Sequence, residues 1–133
     1  MKRERTDLIV VCDSDSPDDK DLTLRDLEMR DRRRGYFECV YHFIIKRDGE
    51  ILHGSRPYAD VSVGLGGRYN FTSVSICMVG GQTFTRPQKV SLKALFKELQ
   101  AEYPDALIKN HHEIDRTVAD RGLDIVALQE SNA

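Results

Sequence analysis

Leu8-Ile9-Val10-Val11-Cys12 is an unbroken apolar run between the charged segment Met1–Asp7 and the polar, turn-rich segment Asp13–Asp19. A short stretch that is apolar at every position suits a central strand covered on both faces. Val40–Lys46 reads differently: Tyr41, Phe43 and Ile45 alternate with His42 and Ile44, the period of a strand with two distinct faces. It runs through Asp48-Gly49 into a second short strand, Ile51–Gly54. Asp-Gly between two β-prone runs predicts a hairpin, because glycine tolerates the positive φ of a tight turn. Ser73–Val79 also alternates, up to Gly80-Gly81, and Ala106–Lys109 is a further short strand.

The remaining pattern is helical. Thr23 can cap a helix running to about Arg34 and stopped by Gly35, with a thin apolar stripe of Leu24 and Leu27. Arg30, Arg32, Arg33 and Arg34 crowd its C-terminal end, where the helix dipole favours cations, and read as a solvated face. Pro87 fits the first turn of a helix to Tyr103, in which Leu92, Leu95, Phe96, Leu99 and Tyr103 recur at helical spacing. Pro104 ends it, and a helical turn or two over Asp124–Leu128 closes the chain. Strands interleaved with helices predict an α/β fold, a central mixed β-sheet flanked by helices, as one domain over residues 1–133.

Composition changes little. With 40% hydrophobic and 32% charged residues and a formal net charge of −2, the chain as a whole offers no electrostatic case for nucleic acid or membrane. No apolar run approaches the ~18 residues needed to cross a bilayer, and Leu8–Cys12 is too short for the core of a signal peptide. A cytoplasmic location follows as an expectation, with any release left to other factors. Cys12, Cys39 and Cys77 are odd in number and lack metal-knuckle spacing, which argues against a disulfide framework. Ser55–Thr72 is a long glycine-containing loop of the functional kind.

The wording of Tyr41-His42-Phe43…Arg47-Asp48-Gly49, together with Tyr69-Asn70, Ser73…Gly80-Gly81 and Lys109-Asn110-His111-His112-Glu113, resembles the N-acetylmuramoyl-L-alanine amidases of the short phage-lysozyme and peptidoglycan-recognition type. The resemblance covers nearly the whole chain and implies that family's fold. It also implies a zinc held by three side chains, whose bound water attacks the amide between N-acetylmuramic acid and L-alanine. His111 occupies the place of the last-strand ligand, and Tyr41 that of an active-site tyrosine. Cys12 stands where the first-strand histidine is expected.

The third ligand has two registers. Anchoring on Gly122-Leu123-Asp124 gives Asp120, the preferred reading, and sets Val118 at the family's lysine; counting from His111 gives Ala119, with Thr117 at the lysine. The Val63–Asn70 segment lacks the family's cleft histidine and is one residue short. His42 and His53 read as strand-surface residues, and His112 and Glu113 as polar groups at the cleft edge. Two functions follow as expectations. One is an amidase-like protein with an eroded zinc site that acts by binding a peptidoglycan fragment or a protein. The alternative is an active zinc amidase with Cys12, His111 and Asp120 on the metal.

Overall fold

The computed structural model describes residues 1–131. Five strands form one mixed sheet: β1 (Leu8–Asp13), β2 (Phe43–Ile45), β3 (Ile51–His53), β4 (Ser73–Met78) and β5 (Leu107–Asn110), in the order β3-β2-β4-β1-β5. The apolar run Leu8–Cys12 falls in β1, between β4 and β5 and parallel to both. β2 is parallel to β4, and only the hairpin pair β2–β3 is antiparallel.

α1 (Leu24–Arg33) and α3 (Arg86–Glu102) lie on opposite faces of this sheet, joined by the short helices α2 (Tyr69–Thr72), α4 (His111–Ile114) and α5 (Ile125–Glu130). Alternation along the strands divides the interior. Ile9, Val11, Phe43, Ile45, Val74, Ile76 and Met78 face α3, where Leu92, Leu95, Phe96 and Leu99 cover them. Ile44, Cys77 and Val79 face α1 and its Leu27. Val10 and Cys12, on that second face, are covered instead by Leu65 from the long loop.

Reciprocal hydrogen bonds between side chain and backbone start both long helices, Thr23 with Asp26 for α1 and Thr85 with Gln88 for α3. The sequence pattern placed the α3 start at Pro87; the Thr85 cap moves it to Arg86.

The structure corrects the reading of Val40–Lys46 most. The regular ladder is Phe43–Ile45; the His42 amide still donates to the Ser75 carbonyl at 3.1 Å, whereas the Val40 amide leaves the sheet and donates to the carboxylate of Asp31 at 3.1 Å. The alternation therefore breaks before Phe43. Tyr41 lies on the α1 side with Ile44, not with Phe43 and Ile45. Gly54 crosses so close to Tyr41 that a Cβ there would fall 2.1 Å from the Tyr41 carbonyl oxygen, so no other residue fits.

His42, expected on the surface, is 1% exposed, and its Nδ1 accepts from the Ser75 amide at 3.1 Å. Burial, aided by the charge of Arg3 and Arg56, lowers its pKa to about 4. A buried imidazole held neutral in the folded chain stabilises it above about pH 6.5, and that contribution is lost as pH falls towards 4, because the unfolded chain takes the proton first. Urea unfolding at about pH 7 and about pH 5 is expected to differ by about 2 kcal/mol from this group, less stable at the lower pH. His42→Gln should flatten that difference; an unchanged slope would exclude His42 as its source.

Candidate active site

Parallel pairing of β1 with β5 brings their C-terminal ends to one edge of the sheet, where open α/β sheets place their ligands. Val11 is in register with Asn110, so Cys12 on β1 and His111, the first residue of α4, stand opposite each other one step beyond the ladder. Cys12 and His111 line the same two cavities. One, of about 20 Å³, is bounded by Asp13, Asn110, Val118, Ala119 and Arg121; the other, of about 130 Å³, extends beneath Tyr41, Leu65 and Asp31. The smaller has room for about one water molecule.

Each of the three has a distinct environment. Cys12 is 3% exposed beneath Leu65, and burial first, then the charge of Asp13, pushes its thiol pKa up, so it rests as a neutral thiol. Burial lowers the pKa of His111, and its Nε2 is buried without a hydrogen-bond partner. Tyr41 donates its hydroxyl to the Asp13 carbonyl at 3.3 Å and accepts from Arg30 Nη2 at 3.4 Å. Desolvation also holds the phenol well above its ordinary pKa, leaving it a neutral donor.

Asp120 is placed elsewhere. Its side chain is 65% exposed, 3.4 Å from His112 Nε2, and accepts from the Gly122 amide at 2.8 Å. It lines neither cavity; Ala119 and Val118 face the smaller one in its stead. The expectation that Asp120 joins Cys12 and His111 is thus not met by the geometry, because its carboxylate is used to turn its own loop. Thr117, the other candidate for the lysine position, is exposed and donates to Asp115 at 2.7 Å. Among the described residues, no three His, Cys, Asp or Glu side chains are grouped so that they could hold a metal ion.

The loop carrying these residues is fastened by one that the sequence did not single out. Arg121 donates through Nε to Asp13 Oδ2 at 3.2 Å and through Nη2 to Asp15 Oδ1 at 2.8 Å, closing the cleft mouth between residues more than 100 apart in sequence. A contact of that range leaves no local signal. Asp31 was equally unmarked: it is fully buried at the end of α1 and fixes the backbone ahead of Tyr41.

The family described as N-acetylmuramoyl-L-alanine amidase matches residues 2–123. The chain belongs to that family. It is 35% identical over 121 residues to the endolysin of Escherichia phage T7, a match covering 85% of this chain and 79% of that one. The amidase fold is equally plain among solved structures. The N-acetylmuramoyl-L-alanine amidase LysC from Clostridium intestinale superposes with a TM-score of 0.82 at 24% identity, covering 94% of this chain and 83% of that one. A Drosophila peptidoglycan recognition protein, PGRP-LB, solved as a mutant in complex with tracheal cytotoxin, superposes with a TM-score of 0.72 at 19% identity, covering 86% of this chain and 75% of that one. This amidase relative shares their α/β architecture and mixed sheet. No helix among the described residues is long and apolar enough to cross a membrane.

Proposed function

We infer that this protein binds peptidoglycan fragments in the Cys12–Tyr41–His111 cleft and does not hydrolyse the N-acetylmuramoyl–L-alanine bond at an amidase's rate. The observation that carries this reading is the donor set. Cys12, Asp13, His111 and His112 all line the cleft, yet among the described residues no three of them are grouped so that they could hold a metal ion, where a catalytic zinc takes three. Of the residues lining it from the third-ligand loop, Val118, Ala119 and Leu123 have no donor atom in their side chains, and Arg121 is a cation. The residues present therefore do not fit the family's zinc. Of the cations lining the cleft, the Arg121 guanidinium is already shared between two carboxylates and Arg34 lies 3.9 Å from Asp31, which leaves neither unengaged for a developing oxyanion.

Binding needs none of these. The Tyr41 hydroxyl, the orphan His111 Nε2 and the apolar wall of Val40 and Leu65 border a cavity of about 130 Å³. The complex of PGRP-LB with tracheal cytotoxin supports a ligand-binding role for this fold. Calorimetric titration with a soluble muropeptide is expected to give the same affinity with and without chelator, and Tyr41→Phe should weaken it about threefold to tenfold, the net worth of one hydrogen bond. Loss of binding on chelation would instead favour the active zinc amidase, a reading that draws on the convergence of Cys12, Tyr41 and His111.

A further inference from the structure

Arg30 and Arg34 at the end of α1 serve the cleft, but the outward arginines Arg25, Arg32 and Arg33 are used by neither the core nor the cleft. At 3.6 residues per turn, Arg25, Met29, Arg32 and Arg33 fall within an arc of roughly 100°, opposite the buried Leu27 and Asp31. All four are exposed. Beyond the helix, Gly35 turns the chain at a φ of 98°, and Tyr36 and Phe37 project at 40% and 95% exposure. The tip is held in place. Arg32 Nε donates to the Phe37 carbonyl at 3.0 Å, and Asp31 accepts from the Val40 amide on the far side of the turn.

The acidic residues nearby face partners of their own. Asp26 accepts from the Thr23 amide at 2.9 Å, Glu28 accepts from the Ser55 hydroxyl, Glu38 pairs with Arg56 at 3.4 Å, and Asp31 is buried. Among the described residues, Arg25, Arg32 and Arg33 form no ion pair. A chain with a net charge of −2 thus carries one outward face that is cationic and apolar together, which the whole-chain charge conceals.

We propose that this face, Arg25, Met29, Arg32, Arg33, Tyr36 and Phe37, docks on a layer of acidic phospholipid headgroups. The chemistry selects that occupant. A soluble polyanion would need the guanidinium groups alone and would leave Phe37 and Met29 in water. A headgroup layer offers phosphate to the arginines and acyl chains to a convex apolar tip. Of this face Tyr36 also lines the larger cavity of the cleft, whereas Arg33 and Phe37 line neither cavity.

The test uses the full chain with vesicles of phosphatidylglycerol and phosphatidylcholine in equal parts, and with pure phosphatidylcholine. The protein should sediment with the acidic vesicles only and be released by high salt. Arg33→Gln should lower the affinity roughly fivefold, the worth of one basic side chain at an acidic surface. Phe37→Ser should lower it roughly tenfold, and because Phe37 is almost wholly exposed neither change disturbs the core. The chain has no tryptophan, so Phe37→Trp supplies a single reporter whose emission should shift to the blue on acidic vesicles. Equal sedimentation with both vesicle types, or an unshifted indole, overturns the proposal. Capture by heparin without vesicle binding also overturns it and assigns the face to a soluble polyanion.

Discussion

Asp31→Ala is expected to destabilise the fold by about 3–5 kcal/mol, the cost of breaking a buried ion pair from one side. The Asp31 carboxylate is fully buried, with Oδ2 on the Val40 amide at 3.1 Å and Oδ1 3.5 Å from Arg30 Nε. Removing it strands a buried amide and leaves the half-buried Arg30 without its closest counter-charge. The same change should release the backbone that carries Tyr41, so muropeptide affinity ought to fall along with the unfolding midpoint. Asp31→Asn keeps an acceptor for Val40 and should recover part of the loss. A difference below about 1 kcal/mol in urea unfolding, the range of an ordinary surface change, would contradict the role given to Asp31.

Hydrolysis should show the largest effect of all. A missing group that stabilises the transition state costs on the order of 10²–10³ in rate. With no three-ligand metal group among the described residues, and with Arg121 and Arg34 already set against carboxylates, release of L-alanine-bearing peptides should run at roughly 10⁻⁴ or less of a zinc amidase's rate. Cys12→His, Val118→Lys and Asp120→Cys made together restore the family's residue types. Position 120 points to solvent, however, so the triple variant is expected to gain little zinc. Substitution at Ala119, which faces the cleft, is the more direct route.

The fold was legible where burial and local chemistry agreed. Leu8–Cys12 could only be a central strand, the Leu92–Leu99 stripe could only be one face of a long helix, and Asp48-Gly49 could only be a turn. Legibility failed where a distant side chain decided the backbone. Nothing local says that Asp31 takes the Val40 amide, so the face of Tyr41 and the burial of His42 were both misread. The four-residue helices α2 and α4 are too short to show a period. Cys12 and His111 lie at strand ends that the fold fixes, and with Tyr41 they line one cavity. The third-ligand loop has no such constraint, and its register is set by Arg121 reaching back to Asp13 and Asp15, a contact invisible in the chain order.

Whether the cleft has kept its shape but not its metal chemistry is decided by elemental analysis and peptidoglycan digestion on the same purified sample. The account predicts well under one zinc per chain and no L-alanine-bearing peptide above background, from protein that is fully folded without metal. One zinc per chain, with peptide release that His111→Ala abolishes, would contradict it.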